Sequence, residues 1–141
     1  MKEKQLQDIT ALYGRLSRDD EVGGESMSIQ SQRAILGQYA KEHGFTNCRF
    51  FMDDGYSGTN FDRPAFTEMM ELVEQRRVRT IIVKDLSRFG RNYLEVGRYT
   101  EVIFPENKVR FIAITDGVDS AAGDNEFAPF KNIINEWYAK D

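Results

Sequence analysis

Ile9-Thr10-Ala11-Leu12-Tyr13-Gly14-Arg15-Leu16-Ser17 is the stretch on which the reading of the whole chain turns. Its first five residues are short, apolar and partly β-branched, the pattern of a buried strand. An arginine and a serine follow at once. The same order recurs downstream. Cys48 to Met52 reads as a second strand, and Asp53 to Asp62 as a loop containing Gly55 and Gly58. Thr80-Ile81-Ile82-Val83 is the clearest strand, followed by Ser87-Arg88-Phe89-Gly90-Arg91; Val109 to Ile114 is a fourth.

Helical patterns fill the intervals. Ser26 is placed to cap a helix running to about His43, with Ile29, Leu36, Tyr39 and Ala40 on one face and Gly44 ending it. Asp62 precedes Arg63-Pro64 as a cap with proline in the first turn, and Phe66, Met69, Met70 and Val73 follow at helical spacing. Asn92 to Phe104 reads as a helix ending at Pro105, and Asn125 to Lys140 as a last helix. Strands alternating with helices predict an α/β fold: a mostly parallel central sheet flanked by helices in three layers.

With 141 residues, 40% of them hydrophobic and 30% charged, the chain has the composition of one soluble domain. No apolar run approaches the roughly 20 residues that cross a bilayer, and the polar segment Met1 to Asp8 is unlike a secretory signal. A single cysteine, Cys48, forbids an internal disulfide or a thiolate metal cage, and a single histidine, His43, forbids a multi-histidine metal site. These features fit a cytoplasmic protein with no membrane partner. The net charge of −4 argues at first against a nucleic-acid partner. Residues 1–91, however, hold 14 Lys/Arg and 14 Asp/Glu, whereas residues 92–141 hold 5 and 9, so the whole deficit lies in the last third. A neutral front part can present a local basic pocket. Affinity for DNA grows with the number of phosphates neutralised, so this chain is suited to act on DNA and poorly equipped to hold it alone.

In open α/β sheets, sites form beyond the carboxyl ends of the strands. That rule brings Ser17, the Asp54 to Arg63 loop, and Ser87, Arg88 and Arg91 to one edge. Guanidinium groups stay protonated and match phosphate oxygens. Arg15, Arg63, Arg88 and Arg91 around Ser17 would offset phosphate charge, stabilise a pentacovalent transition state and favour the serine alkoxide. Each residue alone has a simpler role: Ser17 as a turn or cap, Arg88 and Arg91 as a solvated helix start, Asp62-Arg63 as a helix entry, Gln30 as a solvated helix residue, Tyr13 as core. One site accounts for them together. No Ser-His-Asp constellation and no GxxxxGK[ST] segment occur. Asp53-Asp54 and Asp85 do not form a persuasive metal cage, so neither metal nor other cofactor is implied.

These motifs, in this order, resemble the catalytic domain of the serine recombinases (resolvases, invertases, large serine integrases and transposases) over about Asp8 to Asp141. Tyr13-Gly14-Arg15-Leu16-Ser17 is similar to the family's Y-x-R-x-S. Gln30, Asp54-Gly55-Tyr56-Ser57-Gly58 with Asp62-Arg63, Ser87-Arg88-Phe89-Gly90-Arg91 and Asp116-Gly117 resemble its further motifs. Small resolvases carry aspartate where this chain has Ser87. That serine, and the long insertion between Ser17 and Gln30, resemble the large, transposon-encoded members. The resemblance implies that Ser17 attacks a phosphodiester of double-stranded DNA to form a 5′-phosphoserine linkage. Arg15, Arg63, Arg88 and Arg91 would grip the phosphate, and Tyr13, Gln30 and Asp54 would orient them. It also implies cleavage and rejoining by four subunits assembled from dimers. The apolar stripe Phe127, Phe130, Ile133, Ile134 and Trp137 would then begin a long oligomerisation helix. The abrupt end of that helix and the acidic balance suggest a catalytic fragment, residues 1–141, without the DNA-binding domains that normally follow.

Overall fold

The structure is a computed structural model that describes residues 8–16, 28–57, 61–90 and 92–122. Ser17, Arg91 and the stripe from Phe127 to Trp137 lie outside the described residues.

A five-stranded sheet in the order β2-β1-β3-β4-β5 organises these residues. Strand β1 is Ile9–Leu16, β2 Cys48–Asp54, β3 Val78–Val83, β4 Arg110–Ala113 and β5 Val118–Asp119. β1 to β4 are mutually parallel and β5 returns antiparallel on β4. The predicted mostly parallel α/β architecture is therefore the observed one. β5 was not expected; two residues carry no periodicity, and the strand exists because Gly117 (φ +68°) turns the chain back along β4.

Side chains alternate across the sheet, and each face collects its own core. On one face Leu12, Ile82 and Ile112 meet Leu36 and Ala40 of helix α1 (Ile29–Glu42). Ser28, rather than the expected Ser26, caps α1, its side chain accepting from the Ser31 N–H. The buried positions Gln32, Leu36 and Ala40 recur every four residues along one stripe. On the opposite face Ile9, Ala11, Tyr13, Ile81, Val83 and Phe111 pack against helix α2 (Pro64–Glu74), which contributes Phe66, Met69, Leu72 and Val73.

The same face is closed by a short helix α3 (Leu86–Phe89), by α4 (Tyr93–Arg98), and by a wide π-helical turn, Tyr99–Ile103, running into the one-turn helix α5 (Phe104–Glu106). The helix expected to stop at Pro105 ends one residue beyond it, at Glu106. Proline at 105 cannot donate to the carbonyl four residues earlier and its ring crowds that carbonyl. The turn just before it is widened instead, with the Phe104 N–H reaching back to the Tyr99 carbonyl.

An aromatic cluster locks these pieces together behind the carboxyl edge. Phe61 lies 4.9 Å from both Phe66 and Tyr99 and 5.4 Å from Phe89, centroid to centroid. Gly90 is extended, so no backbone constraint demands glycine there; the demand is steric. A Cβ at Gly90 would lie 2.5 Å from the Phe61 ring, which its neighbours prevent from retreating. Gly90→Ala is therefore expected to destabilise the domain by about 1–3 kcal/mol through overpacking, read as a lowered urea midpoint at unchanged slope.

Candidate active site

The described part of the site grows from one pairing register. β1 and β2 run parallel with Tyr13 opposite Phe51 and Arg15 opposite Asp53. Paired residues point to the same side of a sheet, so Tyr13, Arg15 and Asp53 share the α2 face. Sequence reading had ended β2 at Met52 and assigned the orienting carboxylate to Asp54. The strand instead runs through Asp54, and its alternation buries Asp53 while leaving Asp54 exposed.

Asp53 does two things at once. Its Oδ1 accepts from the Ala65 N–H at 2.9 Å and its Oδ2 from the Phe66 N–H at 3.0 Å, so it caps α2 from a neighbouring strand. The expected cap, Asp62, is not the capping group: the N-cap position is Arg63, without a side-chain cap bond. Asp53 Oδ2 also accepts from the Tyr13 hydroxyl at 2.8 Å, and that hydroxyl in turn accepts from Arg63 Nη1 at 2.8 Å. Burial holds the Tyr13 phenol far above its usual pKa, and Asp53 adds to this against the opposing pull of Arg63. Tyr13 is thus a fixed neutral donor. Arg63, fully buried, stacks over the Phe61 ring at 4.4 Å and lies 5.3 Å from the Phe66 ring.

Arg15 has no exposed surface either. Its Nη1 donates to the Tyr56 carbonyl at 3.1 Å and its Nη2 to the Ser87 carbonyl at 2.6 Å. One guanidinium therefore joins the ends of three strands: β1, which carries it, the loop after β2, and the loop after β3. The convergence expected from strand-end geometry is observed for these described residues.

Arg88 sits in α3, which is held by two carboxylates. Asp85 Oδ1 accepts from the Arg88 N–H at 2.9 Å and from the Ser87 hydroxyl at 2.7 Å. Asp116, from the loop after β4, accepts from the Leu86 N–H at 2.7 Å. Burial pushes the Asp85 carboxyl up, but the bonds from Ser87, Lys84 and the Arg88 N–H outweigh it and hold the pKa below the usual range. Asp85 is an anchor for the segment that carries Arg88.

Gln30 is exposed on α1, whereas Gln32, about 200° away round the helix, is fully buried. Gln32 Oε1 accepts from the Arg15 N–H at 3.1 Å and its Nε2 donates to the Arg15 carbonyl at 3.0 Å. The four-residue spacing to Leu36 and Ala40 was the available signal. Among the described residues no group of three His, Cys, Asp or Glu side chains is arranged to hold a metal.

A parallel sheet whose carboxyl edge gathers buried arginines from successive strand ends, next to the strand-end position of a serine, defines a resolvase-type catalytic domain. Residues 10–140 match the family described as "Resolvase, N terminal domain", and the chain belongs to that family. It is a serine recombinase domain. The fold is similar to the N-terminal catalytic domain of TP901-1 integrase (TM-score 0.74, 24% identity, covering 94% of this chain and 92% of that one). It is also similar to a resolvase-family site-specific recombinase from Streptococcus pneumoniae (TM-score 0.70, 25% identity, 94% and 89% covered). A third similar structure is the catalytic domain of ISC1926 TnpA, an IS607-like serine recombinase (TM-score 0.61, 25% identity, 74% and 67% covered).

Two outcomes follow from the hydrogen bonds. Tyr13→Phe removes a buried donor from Asp53 and an acceptor from Arg63, and should cost about 1–3 kcal/mol in chemical denaturation. Asp85→Asn should lower stability at neutral pH and flatten the acid limb. A carboxylate with a depressed folded pKa contributes above its unfolded pKa, about 4, and the contribution is lost as pH falls through the folded value. A Tm-versus-pH profile of both proteins checks the sign.

Proposed function

We propose that this domain carries out DNA strand exchange with Ser17 as nucleophile, and that the chain is the catalytic portion of a transposon- or mobile-element-encoded recombinase whose DNA-gripping domains follow residue 141. The observation that carries this reading is the Arg15 bridge: the residue two positions before Ser17 ties together the strand-end loops that bring Tyr56, Ser87 and Arg88 to one edge.

In the proposed reaction Ser17 Oγ attacks the scissile phosphorus. The Oγ–P bond forms, the bond from phosphorus to the 3′ oxygen breaks, the serine proton leaves, and a proton ends on the freed 3′-hydroxyl. Reversal with a new 3′-hydroxyl rejoins the strands, and the phosphodiester energy stays in the covalent 5′-phosphoserine link. Arg88 and Arg91 are assigned to the phosphate oxygens, where charge grows in the transition state. Arg15 and Arg63 act from beneath, since neither has exposed surface in this conformation. Contact between Arg15 and phosphate requires exchange of its carbonyl partners for phosphate oxygens. Double-stranded DNA is the partner, with dimers assembling into a cleaving tetramer through the stripe from Phe127 to Trp137.

The test uses the protein with its C-terminal continuation, incubated with sheared genomic DNA and quenched in denaturant. Wild type should yield a covalent adduct mapping to Ser17, and Ser17→Ala none, with DNA retention nearly unchanged. An adduct on the Ser17→Ala protein would sink the nucleophile assignment. Arg88→Ala should slow adduct formation by about 3–4 kcal/mol of transition-state stabilisation, as for loss of one charge-stabilising donor; a near-normal rate would remove Arg88 from the site.

A further inference from the structure

We propose that the amino-terminal edge of the sheet carries a groove for the phosphate backbone of DNA, separate from the carboxyl edge where the arginines of the candidate active site gather. It gives the catalytic domain a second hold on nucleic acid. The choice of DNA over a free phosphate compound rests on the proposed reading of the domain as a DNA-cutting enzyme; the groove is argued from its own residues.

Three helices end at this edge, and all three end in a Schellman motif. There the first residue past the cap is left-handed, and its N–H and the next bond back to carbonyls of the last turn. α1 ends so at Gly44 (φ +76°), with the Gly44 and Phe45 N–H groups on the Lys41 and Ala40 carbonyls. α2 ends so at Arg76 (φ +60°), with the Arg76 and Arg77 N–H groups on the Val73 and Leu72 carbonyls. α5 ends so at Lys108 (φ +58°), with the Lys108 and Val109 N–H groups on the Pro105 and Phe104 carbonyls. Glycine is the usual residue at the left-handed position and asparagine the usual substitute, because a Cβ is strained there. The chain follows that rule at α1 and breaks it at α2 and α5, each time with a cation. A cation does suit the carbonyl end of a helix. One in the last turn would serve without left-handed backbone, and neither last turn contains one.

Both exceptions border the same hollow. Arg76, Arg79 and Lys108 line a cavity of about 200 Å³. It shares Arg79 and Lys108 with a second, of about 390 Å³, that reaches Arg110 and Phe45. Arg79 is met by Asp8 at 3.0 Å and Arg110 by Asp119 at 2.6 Å. Among the described residues no carboxylate pairs with Arg76 or Lys108. Among those residues, too, Asp8 is the only carboxylate lining either cavity. Four cations thus face one acid in a chain of net charge −4. Guanidinium forks and an ammonium spread along two adjoining hollows suit successive backbone phosphates rather than one compact anion. β3 separates this groove from the carboxyl edge: Arg79 lies near its start, and Ser87 and Arg88 follow its end. Its six residues, at about 3.3 Å each, set the two edges on the order of 20 Å apart.

The experiment titrates a labelled DNA duplex of arbitrary sequence with the 141-residue chain over a range of salt. It compares wild type, the pair Arg76→Asn with Lys108→Asn, and the charge-keeping pair Arg76→Lys with Lys108→Arg. Asparagine suits the left-handed position, so the asparagine pair should keep or raise the Tm. Its affinity at low salt should fall roughly tenfold, and its slope of log K against log salt should flatten by about 1.8, the value for two lost phosphate contacts. The charge-keeping pair should hold the wild-type slope. The flattening should persist in an Arg88→Ala background, because the groove does not share the carboxyl edge. If the asparagine pair fails to fold, Arg76→Gln with Lys108→Gln is read for the same slope. An unchanged slope overturns the proposal, and a lowered Tm beside it assigns these cations to the helix ends alone. A changed association state with unchanged duplex binding gives the groove to a protein contact and overturns it as well. So does an effect that vanishes once Arg88 is removed, since the two edges are then one site. Inorganic pyrophosphate should bind more weakly than duplex; tighter binding through the same two side chains gives the groove to a free phosphate compound. A wild type that forms no Ser17 adduct overturns the functional reading, whereas an unchanged slope overturns the groove, so the two failures are distinct.

Discussion

The buried guanidinium of Arg15 is the constraint around which this domain is arranged. A cation without exposed surface must have its N–H groups met inside the protein. Here the Tyr56 and Ser87 carbonyls meet it, in the loops after β2 and β3. Those loops are thereby fixed in relation to β1. The demand runs both ways: main-chain carbonyls at strand ends need donors, and one planar fork serves two of them. Without this group, the two loop carbonyls would each need a separate donor, and the polar residues of these strand ends would have no common frame.

Around that frame the fold holds its other arginines in two different ways. Arg63 is set by aromatic packing and a phenol. Phe61 and Phe66 cover its guanidinium, and Tyr13 passes its hydrogen bond on to Asp53, which caps α2. The chain from cation to helix terminus is continuous and buried. Arg88 is set instead through its backbone, on a four-residue helix too short to stand by itself. Asp85 caps that helix and Asp116 draws its first turn to the end of β4.

Much of this was legible in the sequence. Strand–helix alternation and β-branched runs placed four of the strands, and the carboxyl-end rule gathered Ser17, the Asp54 to Arg63 loop, Ser87, Arg88 and Arg91, of which the loop and Ser87 meet at Arg15. What sequence reading misplaced was parity. It ended β2 two residues early, and the register with β1, which sets Asp53 opposite Arg15, was the missing information. The resemblance pointed to Gln30; the amide that bonds the Arg15 backbone is that of Gln32. The cap of α2 is Asp53 on β2, 12 residues before Ala65, so a local search found Asp62 instead. Ser17, Arg91 and the stripe from Phe127 to Trp137 lie outside the described residues, and their expected roles rest on sequence and family alone.

The contrast between the two held arginines has a chemical consequence. The link from Arg63 through Tyr13 contains a phenol whose proton is kept by burial, which holds its pKa far above the usual value. The arm bearing Arg88 hangs on Asp85, whose charge is needed to accept from Ser87 and from the Arg88 N–H. Protonation exchanges an acceptor for a donor and weakens both bonds together. Acid that protonates Asp85 should therefore loosen the segment that presents Arg88. Ser87 follows from the same logic. With aspartate two residues earlier at position 85 already capping α3, a second carboxylate at 87 would crowd like charge against it, whereas a hydroxyl donates to it. The serine at 87 and the aspartate at 85 thus act together in holding the segment that presents Arg88.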